Sequence, residues 1–362
     1  LRARLGIAAG DVVSATVARL DPDEKFDPLP LFLAMEAAAP AIAANGGQQH
    51  YLLCGQFRDP VWRDVFANAA RQLMPSVGFH LLDGGDAAER KATLSATDIF
   101  LFPIDNVQET FGLAPIEAMA AGLPLIVSDW DGMKDTVTPD TGIRVATELP
   151  GRGLATYLSQ RHLGGTDAYV QYVGQLAALT RIDVAGLSRA LVTLGTDPAL
   201  RRRMGKAGQA RARALYDWRG VIPQFQALWA EQVAMLDHAR RKGGAAVVPR
   251  SAAGVPVGPA PDVMFRSYPS SPAPDILARR LRAIDLGPRP GVTETFGLRD
   301  YGSRRRMVET PERIAAVLAA HSAAGAAGLT LAEAAKATGL SGADTARATF
   351  WLLKYHFLEA AP

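Results

Sequence analysis

The chain holds one cysteine, Cys54, among 362 residues. A lone thiol excludes an intramolecular disulfide framework and a four-cysteine zinc site, and it fits a reducing cytosol. No apolar run approaches the ~20 residues that a membrane span requires, and no signal-peptide pattern is visible. Residues of metal-ligating type form no cluster with ligand spacing, so neither a metal nor a cofactor is expected. Net charge is small: 39 Lys and Arg against 36 Asp and Glu leave +3, with an isoelectric point near 9.0. That balance permits anionic ligands or a membrane surface without demanding either. The expected location is cytoplasmic, with peripheral contact at the inner face of the membrane left open. An initiating methionine is missing too. The sequence starts at Leu1 and enters a strand after only Leu1 to Ala9. It reads as a fragment whose upstream part is absent, or as a processed or trimmed terminus.

With 48% hydrophobic and 21% charged residues, the composition is that of ordinary globular protein with room for two or three domains. Val12 to Ala18 is short and rich in β-branched residues, and the turn "LDPDEK" follows, so a buried strand ending at Arg19 is predicted. Pro28 to Ala44 has helical spacing and stops at "NGG". Then "QHYLLCG", "VGFHLL", "DIFLFP" and "LPLIVSD" read as strands. Between them, "PVWRDVFANAARQLM", "ERKATLSAT" and Leu113 to Ala121 read as helices. Strands alternating with helices predict βαβ units, hence an α/β fold with a Rossmann-like parallel sheet.

Residues 150–242 read mostly as helix, with Asp197 as an N-cap and Pro198 in the first turn of an arginine-rich helix. Its arginines read as a solvated face rather than a membrane or anion contact. A long amphipathic helix, "YDWRGVIPQFQALWAEQVAML", follows. The domain division expected is 1–242, a Pro/Gly/Ala-rich linker over 243–304 that docks through "MFRSYPS", and a helical module over 305–362. The module carries two capping boxes, Thr330 with Glu333 and Ser341 with Asp344, and Gly339 lies between its two helices. That is a helix-turn-helix pattern. Its second helix would offer Ala343, Asp344, Ala346 and Arg347, a poor surface for phosphates or base edges. Protein docking is therefore favoured over nucleic-acid binding.

The densest chemistry lies in "QETFGLAPIEAMAAGLPLIVSDWDG", residues 108–132, where Glu109 and Glu117 stand eight positions apart. A crevice forms at the carboxyl ends of parallel strands, and the loop after "DIFLFP" lies over that edge. Gly112 permits close backbone approach, and the N–H groups of the helix that follows favour an anion such as a diphosphate. Carboxylates beside a diphosphate must face something else, and hydroxyl groups are the natural partners. A nucleotide sugar has the matching order: ribose at Glu117, diphosphate at the turn, hexose at Glu109. Two glutamates at this spacing are common by chance. The surrounding "FG", "EAMAAGLP" and strand–loop–helix–strand frame give the pair its weight.

This stretch resembles the E-x7-E signature of retaining glycosyltransferases of family four, which have the GT-B fold. "VARLDPDEK" is similar to that family's strand and turn bearing an arginine and a lysine for the donor diphosphate, here Arg19 and Lys25. "DNVQETFGL" with "SDWDGMKDTV" is similar to a bacterial subgroup. The resemblance runs from about Leu1 to Leu236 and covers the donor-binding lobe, not the lobe that binds the acceptor. Three positions depart from the pattern. Ala18 replaces the usual glycine before the arginine, Phe26 replaces another, and Lys25 lies one residue further from Arg19 than is commonest.

The resemblance implies transfer of a hexose, with retention, from a nucleotide diphosphate sugar to a glycan, lipid or small-molecule acceptor. It implies that Arg19, Lys25 and Glu109 are catalytic and that Thr110, Phe111, Gly112, Leu113 and Glu117 bind substrate, with no metal. Two rivals keep the fold but change the chemistry: a sugar-nucleotide epimerase and a phosphorylase, the latter lacking an identifiable cofactor lysine. A third reading is a non-catalytic nucleotide-sugar-binding or regulatory protein that interacts through the helix-turn-helix-like unit.

Overall fold

The computed structural model describes residues 1–151, 153–241, 261–272, 278–299 and 309–361. Its first half alternates strands and helices. In chain order these are β1 (Val12–Leu20), α1 (Leu29–Ala44), β2 (Gln49–Phe57), α2 (Val61–Leu73), β3 (Gly78–Asp83) and α3 (Ala87–Ala96). Then follow β4 (Ile99–Phe102), α4 (Leu113–Ala120), β5 (Leu125–Ser128), α5 (Met133–Thr136) and β6 (Gly142–Val145). The six strands form one parallel sheet in the order β3-β2-β1-β4-β5-β6. The Rossmann-like sheet expected from the sequence is therefore present.

Local chemistry explains the boundaries. β1 runs one residue beyond the expected strand end at Arg19, because Leu20 continues the register opposite Phe57 of β2. α3 starts two residues before "ERKATLSAT", because Asp86 accepts the Ala88 N–H at 2.8 Å and caps it. β4 (IFLF) and β5 (LIVS) are nearly continuous apolar runs, as expected where helices cover both faces. Phe100, Leu101, Leu125, Ile126 and Val127 are fully buried. β1 is central, and the chain winds outward from it one way through β2 and β3, then the other way through β4, β5 and β6. The strand order reverses between β1 and β4, so the crevice for a ligand lies beyond their carboxyl ends.

After the sheet come β7 (Thr147–Leu149), α6 (Thr156–Leu163), α7 (Tyr169–Ala178), β8 (Arg181–Ile182), α8 (Val184–Thr196), α9 (Pro198–Leu215) and α10 (Trp218–Arg241). Asp197 caps α9 through the Leu200 N–H at 2.8 Å, with Pro198 in its first turn. The segment expected to be a linker carries local structure where it is described: α11 (Pro261–Met264), β9 (Ser271–Pro272), β10 (Leu281–Ala283) and α12 (Val292–Arg299). "MFRSYPS" does pack on the sheet domain. Lys134 Nζ donates to the carbonyls of Ser267 and Pro269, the Asp131 N–H to that of Tyr268, and the Tyr268 ring meets Trp130 edge-on.

The C-terminal unit contains α13 (Pro311–Ala324), α14 (Leu331–Thr338), α15 (Gly342–Lys354) and β11 (Leu358–Ala360), which pairs antiparallel with β10. Thr330 and Glu333 form a full capping box. Ser341 accepts the Asp344 N–H, but Asp344 takes the Ser341 hydroxyl rather than its backbone N–H, so this box is only half made. Gly339 turns the chain between α14 and α15 at φ +70°. Helix α15 presents no free reading face. Ala346 and the run from Ala348 to Lys354 are buried, and Phe350, Trp351 and Leu353 join the same apolar cluster as Phe26 and Phe66 near the sheet.

Candidate functional site

Two loops flank the strand reversal: residues 21–28 after β1 and residues 103–112 after β4. They are stitched together by four side chains of the second loop. Asp105 Oδ1 accepts the Asp27 N–H at 3.3 Å, and Asn106 Nδ2 donates to the Asp23 carbonyl at 2.7 Å. Gln108 Nε2 donates to the Glu24 carbonyl at 3.1 Å, and Glu109 pairs with Lys25. Inside the second loop, Asn106 accepts the Gln108 N–H on its side chain and the Glu109 N–H on its carbonyl. This turn holds Glu109 against Lys25.

The centre of the site is a three-part cluster. Glu109 Oε2 meets Lys25 Nζ, and Glu109 Oε1 accepts the Gly112 N–H at 2.9 Å. Lys25 Nζ also lies 4.9 Å from the centre of the Phe102 ring, a cation–π placement that fixes the ammonium at the end of β4. Both side chains are largely buried, at 17% and 14% exposure. Gly112, the N-cap of α4, has φ +80° and ψ 68°, a left-handed conformation that a side chain would strain. Gly132, in "SDWDG", lets a second turn approach this loop. A Cβ there would come within 2.2 Å of the Thr110 carbonyl oxygen. The α4 N-terminus is thus an anion-seeking position, and the protein supplies a carboxylate to it.

The other expected site residues surround this cluster. Thr110 and Phe111 are exposed beside it, the Phe111 ring meeting Tyr216 edge-on at 6.1 Å. Leu113, at the start of α4, is 67% exposed. Glu117 lies one turn further along α4, exposed, and its carboxylate has no hydrogen-bond or ion-pair partner among the described residues. Arg19 stands at the end of β1, 3.5 Å from Glu24, while Arg58 holds the other oxygen of Glu24 at 2.6 Å. Arg19 remains 64% exposed and faces open space, unlike Lys25. Among the described residues, no three His, Cys, Asp or Glu side chains gather into a group that could hold a metal.

Residues 1–150 match the family described as glycosyl transferases group 1. They belong to that family. The chain is similar to a GDP-mannose-dependent monoacylated alpha-(1-6)-phosphatidylinositol monomannoside mannosyltransferase of Corynebacterium glutamicum. The two are 28% identical over 222 residues, which is 60% of this chain and 46% of the relative. It is also 28% identical over 167 residues to a phosphatidyl-myo-inositol mannosyltransferase of Propionibacterium freudenreichii subsp. shermanii, covering 46% of this chain and 34% of that one. Among solved structures, sucrose-phosphate synthase from Thermosynechococcus elongatus is 26% identical, with 65% of this chain and 48% of that chain covered and a TM-score of 0.40. The chain spans less than half the length of each of these two curated relatives.

The group 1 region contains site-forming residues that the sequence did not single out: Glu24, Asp27, Asp105, Asn106 and Gln108. Their only signal was polarity in loops at strand ends, the runs "DPDEKFD" and "DNVQE". Two more lie far outside the group 1 region. Lys354 Nζ donates to Asp105, and the Tyr355 hydroxyl donates to Asp27.

Proposed function

We propose that the group 1 region is the donor-binding lobe of a retaining, metal-independent glycosyltransferase that moves a hexose from a nucleotide diphosphate sugar to an acceptor. The observation that carries this reading is the Lys25–Glu109–Gly112 cluster, a cation and a helix N-terminus converging at the strand reversal. A donor diphosphate would compete with the Glu109 carboxylate for Lys25 and the Gly112 N–H. Glu109, displaced from them, would accept hydroxyl groups of the transferred sugar, while exposed Glu117 accepts those of the ribose. Charge developing on the departing diphosphate would be met by Lys25, Arg19 and the first N–H groups of α4, so the reading assigns this work to protein groups rather than to a metal. Thr110, Phe111 and Leu113 would line the sugar side of the turn. Both relatives' names favour mannose as the hexose, and the name of the Corynebacterium glutamicum relative favours GDP as its carrier.

Calorimetry with GDP and guanosine tests the site. GDP should bind more tightly than guanosine. Lys25→Ala should lower GDP affinity about tenfold to a hundredfold, the loss of one charged hydrogen bond. Arg19→Ala should cost less, since that guanidinium is largely solvated. Equal affinity for nucleoside and diphosphate would remove the phosphate argument.

Both relatives' names specify a phosphatidylinositol acceptor, so of the three acceptor classes a lipid is favoured. That acceptor would place the protein in the cytoplasm at the inner face of the membrane. No helix among the described residues is long and apolar enough to cross a membrane, and the contact proposed is a peripheral one. Sedimentation with vesicles containing phosphatidylinositol should carry part of the protein down. A protein that stays wholly in the supernatant at low salt would count against the lipid acceptor.

A further inference from the structure

The buried end of α15 reaches the two donor-site loops. Lys354 is 0% exposed, and its ammonium has three donors with three acceptors: Asp105 Oδ2, the Ala177 carbonyl at 3.0 Å and the Thr180 carbonyl at 3.3 Å. The Ala177 carbonyl, in the last turn of α7, also accepts the Thr180 N–H at 2.9 Å, and Thr180 follows two residues past that helix, whose C-terminal end favours a cation. Asp105 gives its other oxygen to the Asp27 N–H. Asp27 gives one oxygen to the Leu29 N–H at 3.0 Å, at the start of α1, and the other to the Tyr355 hydroxyl. Four buried side chains thereby close a network in which every carboxylate oxygen and every ammonium hydrogen has a partner. One acid of the network sits two residues after Lys25, and the other sits four residues before Glu109.

We propose that Lys354 and Tyr355 are positioning residues of the donor site, bracing from the C-terminal unit the two loops that carry Lys25 and Glu109. Neither residue reaches the cluster itself. Each holds an acid whose backbone is part of a short, tightly bonded turn, so a shift at Asp105 or Asp27 moves the loop as a unit. Asp105 passes the constraint on through Asn106, which fixes both Asp23 and the Glu109 N–H. Asp27 fixes the entry to α1 directly behind Lys25 and Phe26. A low-dielectric surrounding makes such a fully paired network stiff and makes loss of any one member felt by the rest. The C-terminal unit is on this account part of the donor site's scaffold.

The proposal rests on the donor-site reading for its effect on ligand binding, but not for its effect on the loops. Tyr355→Phe removes one hydroxyl and keeps the ring, so the full chain should fold. Hydrogen exchange without added nucleotide should then be faster in peptides covering 21–28 and 103–112, with β2 and β3 unchanged. The same variant should lose about fivefold or more in GDP affinity, the scale of one hydrogen bond in such a network, with guanosine affinity nearly constant. A merely structural role would slow or speed exchange across the whole sheet and would leave the diphosphate-dependent part of binding intact. Exchange unchanged in both loops, or changed equally everywhere, overturns the brace. If the unmodified chain binds GDP no better than guanosine, the donor-site reading falls and the exchange comparison alone decides the brace.

Discussion

Helices α10 and α15 have the same kind of sequence and opposite fates. Each is amphipathic and rich in large apolar side chains. In α10 the stripe Trp218, Ile222, Phe225, Trp229, Val233 and Leu236 follows helical spacing, yet Trp218 is 71% exposed and Trp229 57%. In α15, Phe350, Trp351 and Leu353 are exposed by 1% or less. What separates them is polar anchoring. α15 is pinned at its end by Lys354 and Tyr355 and is followed directly by β11, which pairs with β10. On its other flank, Arg347 reaches Glu309 at 3.6 Å and lies over the Tyr157 ring. In α10, Gln224 Nε2 donates to the Gly220 carbonyl at 3.0 Å and Arg241 Nε to the Asp237 carbonyl at 3.2 Å, bonds that run along the helix itself. Apolar pattern creates a demand for burial. Directional bonds lock in place the surface that meets it.

That contrast can be broken experimentally, and the largest effect should come from its strongest bond. Lys354→Met keeps the side-chain length but leaves Asp105 buried without its cation, which costs ~3–5 kcal/mol of stability in urea unfolding at neutral pH. Burial already pushes the Asp105 carboxyl above its ordinary range, with Lys354 opposing the rise. Removing the cation raises it further. A raised carboxyl binds its proton more tightly folded than unfolded, so the penalty is absent below the ordinary carboxylate range, grows as pH rises from there to the elevated value, and is constant above it. The deficit measured at pH 7 should therefore shrink at pH 5. A deficit independent of pH would show that the ion pair is not its source. The smallest effect should come from α10. Trp229→Gln replaces a side chain that contributes little burial, so stability should change by only ~0.5 kcal/mol in either direction. A loss of several times that amount would mean that α10 is covered in solution, and the contrast between the helices would disappear.

The sheet domain was largely legible because its signals are local. Short apolar runs separated by helical segments specify a parallel sheet whatever lies elsewhere, and β1 to β5 with α1 to α4 fall within a few residues of their expected bounds. The core of the candidate site was legible as a local pattern for the same reason: Glu109, Gly112, Leu113 and Glu117 lie within one loop and one helix. Less visible was the relation between Lys25 and Glu109. The family resemblance implied a lysine facing a phosphate, and the chemistry of the turn a glutamate facing a sugar; that the two side chains also meet each other in the folded chain was not visible. The helix-turn-helix pattern was legible as well, but what it docks against was not.

Sequence by itself determined the alternation of strands and helices, the left-handed turn at Gly112 and the caps at Asp197 and Thr330, since each depends on residues a few positions apart. Only the tertiary structure decided the pairing of Lys354 with Asp105, 249 positions away, and of Tyr355 with Asp27, 328 positions away. A lone lysine and tyrosine at the end of a helix, and a lone aspartate in each of two loops, carry no local mark of a partner. Their partners are fixed by which surfaces the apolar faces bring together, and once buried there, an unpaired charge would be too costly to keep.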